Sequence, residues 1–233
     1  MTRTLPLFLA ALAASAPAGA AERGYTVTDF DRVQVEGPYQ VNLLTGLTAG
    51  ARAEGSAEAL DRVSIDVQGS TLRVRPNRSA WGGYPGERIG PVRISVTTRD
   101  LRAASVIGSG SLGIDRAKGL RVDVSLSGGG QLSVGNVDAD NLVVSLLGSG
   151  RITLAGRARQ LKATIQGSGD LAASGLKAED AQLTADTAGG VAVEVSRTVK
   201  LRASGSGDVE ILGNAACTLE GQAMGPVRCG RAR

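Results

Sequence analysis

Residues 148–170, GSGRITLAGRARQLKATIQGSGD, contain the pattern from which the fold can be predicted. This stretch begins and ends with the same Gly-Ser-Gly group, and between the two groups apolar residues occupy alternate positions. The first alternation contains Ile152 and Leu154, and the second ends at Ile165. Alternation with a period of two predicts half-buried β-strands. Because glycine adopts backbone conformations that other residues avoid, the repeated group predicts a sharp turn.

The same layout recurs along the second half of the chain. Successive units begin at Gly108, Gly128, Gly148, Gly167, Ala188, Gly205 and Ala223. A period of about 20 residues is typical of a solenoid, in which each coil buries its inner face only by stacking on its neighbours. The sequence therefore predicts an all-β, right-handed parallel β-solenoid. The hand follows from the usual crossover between parallel strands.

This prediction assigns particular residues to columns that run along the stack. Leu146, Ile165 and Ala203 should share one inward column, with Ala185 between the last two. The serines of the turns should form a second column, with hydroxyls bonded between coils or to the turn backbone: Ser109, Ser149, Ser168 and Ser206. A β-sandwich is the main alternative, since a strand, a glycine turn and a strand also describe a hairpin. The near-constant step favours the solenoid.

The N-terminus has the pattern of a secretory signal peptide. Arg3 precedes an apolar run, residues 5–16, and small residues follow at Ala18 and Ala20. The run is too short for a membrane-spanning helix, and no later stretch is apolar enough for one. We expect a signal peptide at 1–21 and an exported protein, periplasmic or at the cell surface. Residues 22–233 should form a single domain, with N-terminal strands over 22–107 and the glycine repeats over 108–233.

Composition excludes several classes of function. The chain has no histidine, which removes Ser-His-Asp and Cys-His catalysis and the commonest zinc ligand. Beyond residue 21 it carries 25 Lys and Arg against 22 Asp and Glu, a net charge of +3, and these charges are scattered. Aromatic residues make up 3% of the chain. A nucleic-acid partner is not expected, because binding would need a basic face with stacking aromatics.

Acidic residues give little support to a metal site or a catalytic site. Asp170 and Asp208 follow Gly-Ser-Gly groups at equivalent positions, but the coil between them is irregular and the earlier coils have Ser111, Gln131 and Arg151 there. Arg151 beside Asp170 favours a surface ion pair. Glu179 and Asp180 fit a solvated corner. We therefore expect no cofactor, no metal and no enzymatic activity.

Residues 76–91, PNRSAWGGYPGERIGP, interrupt the strand pattern and contain Trp81 and Tyr84. A Gly/Pro-rich loop with two aromatic residues is a candidate recognition loop. The alternative, which we favour, is that it covers a flank or an open end of the solenoid, with Trp81 as a plug.

Cys217 and Cys229 are the two cysteines of the chain, and export predicts that they form a disulfide. Cys217 takes the place of Val199 one coil earlier, and Cys229 takes that of Ile211, so both should point inward. The alternative is two free, buried thiols.

Three stretches resemble one bacterial family. The pattern GSGDL…L.A.I.GSGD, the opening DFDRVQVEGPYQVNLLTG from Asp29, and VSIDVQGSTLRVRP are similar to the putative auto-transporter adhesin head GIN domain. The chain departs from that pattern at TAGGVAVEV and at GPVRC. The resemblance implies an exported β-helical domain and carries over no functional residue.

The predicted function is therefore that of an exported, non-enzymatic structural or interaction module, adhesin-like, whose partner is an envelope protein or a surface glycan. Two alternatives remain open: a periplasmic, envelope-associated protein-binding domain, and a β-helical polysaccharide lyase or hydrolase.

Overall fold

The computed structural model describes residues 21–77 and 90–230 of the 233-residue chain. In these residues, sixteen strands join in one continuous sheet that winds into a β-solenoid of about six turns. The elements are β1 (Ala21–Tyr25), β2 (Arg32–Glu36), β3 (Gln40–Thr45), β4 (Gly50–Gly55), α1 (Ala57–Asp61), β5 (Val63–Gln68), β6 (Thr71–Pro76), β7 (Arg93–Thr98), β8 (Ala103–Ile107), β9 (Ser111–Gly128), β10 (Gln131–Gly148), β11 (Arg151–Gly167), β12 (Asp170–Thr187), β13 (Val191–Ala203), β14 (Val209–Leu212), β15 (Ala216–Glu220) and β16 (Val227–Cys229).

Each of the long strands β9 to β12 runs through one coil and pairs in parallel with the next. A coil has three sides, which we define on β11 as side 1 (151–154), side 2 (157–159) and side 3 (161–166). The glycine turn joins side 3 to side 1 of the following coil. The parallel pairing rules out the β-sandwich, in which the glycine turns would close antiparallel hairpins.

The predicted inward column is confirmed. Leu146 lies opposite Ile165, Ile165 opposite Ala185, and Ala185 opposite Ala203. All four residues are buried, and Ile165 has no exposed surface. Burial of apolar side chains in such columns is the main force that holds the coils together.

Side 2 was not predicted. The sequence predicts a solvated corner around Glu179 and Asp180, but the strand continues through it and points further residues into the core. Ala158, Ala178 and Val195 stand opposite one another in successive coils and are each buried on this side. The corner prediction was wrong because a side of only about three residues is too short to show a period-two pattern.

Glycine serves two purposes at the turn between sides 3 and 1. Gly148 has φ +115°, which side chains rarely tolerate. At Gly150 an added Cβ would lie 2.5 Å from the carbonyl oxygen of Gly130, so the coils can approach only without a side chain. Backbone bonds join the coils at this corner, including Ser149 N–H to Gly128 O at 3.1 Å.

One turn between sides 3 and 1 has threonine instead of glycine at its first position. Thr187 stands opposite Gly167 and is 2% exposed. Its hydroxyl donates to Gly169 O at 3.1 Å and accepts from Gly189 N–H at 2.9 Å. This is the TAGGVAVEV stretch, so the side chain supplies the polar contacts that the irregular turn needs.

The N-terminal segment forms further coils in a different chain order. β2 pairs in parallel with β8, and β3 with β9, so Gly37-Pro38-Tyr39 stacks on the first Gly-Ser-Gly turn. β6 and β7 add the next layer, against β2 and β3. The 76–91 stretch connects β6 to β7, and its residues 78–89, which include Trp81 and Tyr84, lie outside the described residues.

Antiparallel strands cover the N-terminal end of the stack, a feature that the sequence pattern does not predict. β4 pairs antiparallel with β7, β1 with β4, and β5 with β6. Helix α1, capped by the Ser56 hydroxyl, packs Ala59 and Leu60 into the core, each 1% exposed. In the described part of the chain, no helix has the length and apolar character needed to cross a membrane.

The C-terminal end is held by a disulfide between Cys217 and Cys229, whose Cα atoms are 6.4 Å apart. Cys217 lies opposite Val199 and Cys229 opposite Ile211, as the sequence predicted. Cys229 is nevertheless exposed, because the described chain places no further strand over it.

Candidate interaction surfaces

Side 2 carries charges that pair from one coil to the next, and we call this set the ion-pair ladder. Arg157 Nε bonds Asp138 Oδ1 at 2.9 Å, and Arg159 lies 3.7 Å from Asp140. In the later coils Arg197 pairs with Asp180 and approaches Glu179 at 4.0 Å. The arginines are exposed and the acids are partly exposed, so the ladder adds little stability but leaves side 2 nearly neutral.

Arginine contacts keep these acids ionised. The hydrogen bond from Arg157 lowers the pKa of Asp138, and hydrogen bonds from Arg197 and Thr198 lower the pKa of Asp180. A carboxylate with a lowered pKa is a poor general acid at neutral pH. Glu179 and Asp180 were expected in a solvated corner but lie within strand β12.

Asp170 joins three coils. Its Oδ2 accepts from Arg151 at 2.8 Å in the preceding coil, which confirms the expected ion pair. Its Oδ1 accepts from Gly190 N–H at 2.8 Å in the following coil. Both contacts lower the pKa of Asp170, the arginine contact more.

Asp208 occupies the same column two coils later. It makes the ion pair with an arginine but not the hydrogen bond with a backbone N–H. Its Oδ2 pairs with Arg228, whereas its Oδ1 is buried with no hydrogen-bond partner in the described residues. The pairing of Val209 with Val227 places Pro226 opposite Asp208, and proline has no N–H to donate.

Gly190 separates Asp170 from Asp208, so the two acids are about 10 Å apart. Within 21–77 and 90–230, no three His, Cys, Asp or Glu residues come together as metal ligands would.

Side 3 presents a row of hydroxyl groups, one from each of five successive coils. The row is Ser105, Ser125, Ser145, Thr164 and Thr184. Neighbours in the row are about 4.8 Å apart, the spacing of paired strands. Side 3 is therefore a flat and mostly polar surface over the middle of the stack, on which Ile107 and Leu147 are also exposed.

A shallow groove of about 500 Å³ lies beside this row, and we call it the lysine groove. Lys162, Gln182 and Lys200 occupy consecutive coils in one row. Asn141 and Gln160 lie opposite each other at the adjacent edge of side 3. Both lysine side chains are exposed. This site is not apparent from the sequence pattern, although Lys162 and Lys200 stand at the same place in alternate coils.

A second groove of about 670 Å³ opens where the N-terminal layer meets the first long coil. Its charges are mostly paired: Arg102 with Asp31, and Arg121 with Asp123. Leu120 projects beside it and is 78% exposed. This groove has mixed charge, with arginines bound to acids along its wall.

Comparison with solved structures shows the same fold in other bacterial proteins. A putative adhesin from Bacteroides fragilis NCTC 9343 superposes with a TM-score of 0.82 at 18% identity, over 91% of this chain and 97% of that one. A putative lipid binding protein from Parabacteroides distasonis ATCC 8503 gives 0.68 at 18%, over 93% and 98%. A putative adhesin from Parabacteroides merdae ATCC 43184 gives 0.63 at 17%, over 93% and 97%. No curated protein matches the chain.

The family model of the putative auto-transporter adhesin, head GIN domain, matches residues 29–215. This range extends from just before β2 to just before β15, so it includes the N-terminal layer, the long coils and both grooves. The family thus covers the solenoid itself and not only its glycine turns. The chain belongs to the putative auto-transporter adhesin head GIN domain family.

Proposed function

We propose that this protein is an exported, non-enzymatic interaction module, adhesin-like, that binds its partner on side 3. The observation that carries the proposal is the contrast between two sides of the same coils. Side 2 engages its acids in the ion-pair ladder, whereas side 3 offers hydroxyls, amides and two lysines on a flat surface. Such a surface can bind an extended partner over several coils.

The state of the acids argues against the polysaccharide lyase or hydrolase. A glycosidase needs two carboxyl groups that flank one bond, one of them protonated. Asp138 and Asp180 instead have lowered pKa values because arginines hold their carboxylates. The family and the structural neighbours carry adhesin or lipid-binding names, which supports binding over catalysis.

Export is part of the proposal. The signal-peptide pattern of residues 1–21 falls almost entirely outside the described residues, and the mature domain would span 22–233. A disulfide between Cys217 and Cys229 fits an oxidising compartment. The periplasmic protein-binding alternative shares this route, and differs only in the partner.

Retention on cells tests the proposal. Fluorescently labelled protein, residues 22–233, is incubated with intact bacteria and with isolated envelopes, and the bound fraction is measured after sedimentation. We expect saturable retention that unlabelled protein competes away. Retention by envelopes but not by intact cells would favour the periplasmic alternative. No saturable retention on either preparation would contradict an interaction module.

A further inference from the structure

The distribution of free positive charge is uneven among the described residues. Arginines make the ion pairs of this surface, whereas none of the four lysines takes part in one within 21–77 and 90–230: Lys118, Lys162, Lys177 and Lys200. Two of them lie on side 2, where Lys118 stands opposite Asp138 and Lys177 opposite Glu194. The other two line the lysine groove.

The charge of the lysine groove is not compensated from within. Asp180 is the one acid among its described lining residues, and Arg197 and Thr198 already bind that carboxylate. Arg121 at the end of the groove is bound to Asp123. Lys162 and Lys200 therefore contribute two free positive charges, and no neighbouring carboxylate competes with a ligand for them.

Spacing and neighbouring groups indicate the shape of that ligand. Lys162 and Lys200 are two coils apart, about 10 Å along the stack. Gln182 lies between them and Gln160 beside them, and each amide both donates and accepts hydrogen bonds. A ligand that matches this row carries negative charges at intervals and hydroxyl groups between them.

We propose that the lysine groove binds a linear acidic polysaccharide, aligned along the stack, with sugar carboxylates at Lys162 and Lys200 and sugar hydroxyls at the glutamines. This identifies the partner class of the binding surface and rests on the proposed function. No aromatic side chain lines the groove among the described residues, which disfavours single-stranded nucleic acid, since bases bind by stacking. On the outer face of side 3, the exposed large apolar side chains among the described residues are Ile107 and Leu147, which is too little apolar surface for insertion into a membrane.

The test is a titration of the disulfide-intact protein, residues 22–233, with polygalacturonate at low and high salt. The matched ligand is fully methyl-esterified polygalacturonate, which keeps the sugar backbone and loses the charge. The groove variant is Lys162→Gln with Lys200→Gln. Its matched control, Lys118→Gln with Lys177→Gln, removes the same two charges from side 2.

We expect the groove variant to weaken binding at least about tenfold, since each charge-assisted contact contributes measurably. The side 2 control should bind within about twofold of the native protein, Lys162→Arg with Lys200→Arg should retain binding, and salt should weaken it. Equal losses in the two Gln double variants would show attraction by net charge alone and would overturn the proposal. Equal binding of the esterified polymer, or tighter binding of phosphatidylglycerol vesicles or single-stranded DNA, would also overturn it.

The outcome separates this inference from the proposed function. If polygalacturonate does not bind but labelled protein is still retained on cells, the polysaccharide assignment fails and the interaction module stands. If retention on cells is also absent, both fail.

Discussion

The two ends of the coil stack are closed by different means. At the N-terminal end, antiparallel strands β1, β4 and β5 and helix α1 cover the core, and Leu60 is 1% exposed. At the C-terminal end, the described chain stops at β15 and β16, where Leu219 is 47% and Met224 is 77% exposed. A disulfide holds these last strands together.

The difference shows what a solenoid requires at each end. An inner coil is buried by two neighbours, whereas an end coil has one and must find other support. At the N-terminal end, antiparallel strands and α1 bury the core and support the end coil. At the C-terminal end, a covalent bond gives that support. The side 3 surface lies between these ends, on coils that have neighbours on both sides.

The largest effect is expected from a charge placed in the middle of the stack. Ile165→Asp buries an unpaired carboxylate at a site with no exposure, which costs several kcal/mol and approaches the stability of a whole domain. The control is Leu219→Asp, the same kind of change in the last coil, where solvent reaches the side chain. Thermal melting should show loss of folding for Ile165→Asp and a small shift for Leu219→Asp. Similar melting temperatures for the two variants would contradict the difference between middle and end.

The second-largest loss of stability is expected from a cavity under α1, which covers the N-terminal end of the stack. Leu60→Ala should destabilise the protein by about 2–5 kcal/mol, because the cavity lies under α1 in a packed core. Met224→Ala at the other end should change stability by less than about 0.5 kcal/mol. Urea denaturation of the two variants measures both. A cost for Leu60→Ala as small as that of Met224→Ala would show that α1 does not seal the stack.

Loss of the disulfide should have a smaller effect, confined to the C-terminal end. Replacing both Cys217 and Cys229 by Ser should cost about 3 kcal/mol in the chain-entropy account of a short loop. Hydrogen exchange should accelerate in β15 and β16 and stay unchanged in β10 and β11. Reductant should reproduce the change in the native protein and leave the Ser variant unaffected. Unchanged exchange in β15 after reduction would contradict a supporting role for the disulfide.

Asp170 gives the smallest expected effect, a dependence on pH. Its pKa is lowered in the folded protein by Arg151 and by Gly190 N–H, so folding favours the ionised carboxylate. This stabilisation is present above the unfolded pKa of about 4 and is lost as pH falls through the lower, folded pKa. Urea denaturation between pH 7 and pH 2 should show a shallower acid loss for Asp170→Asn than for the native protein. An identical acid profile would show that these contacts do not couple to folding.

The sequence predicted the middle of the molecule far better than its ends. Near-constant spacing of glycine groups and period-two alternation determine a parallel stack, and they placed Ile165, Ala185 and Cys217 in the correct columns. The short side 2 has too few residues to show a period. Antiparallel pairing of β4 with β7 joins segments about 45 residues apart, and no local pattern encodes such a contact.

The binding surface was harder to predict for a related reason. Lys162 and Lys200 are 38 residues apart, and each looks like an ordinary solvated charge in its own strand. Only the register of β11, β12 and β13 places them in one row with Gln182 between them. Neutralisation of Asp180 by Arg197 likewise depends on pairing between coils, so the charge of the groove cannot be derived from composition.

The central proposal, that this solenoid binds its partner without transforming it, is tested most directly by measuring binding and turnover on one sample. Protein spanning 22–233 is mixed with polygalacturonate of defined length, the bound fraction is determined, and the recovered polymer is sized by gel filtration and assayed for new reducing ends and for unsaturated products. The proposal predicts bound polymer of unchanged length and no new ends. Shortened polymer, with new ends that increase with time and protein concentration, would contradict it and favour the polysaccharide-active enzyme.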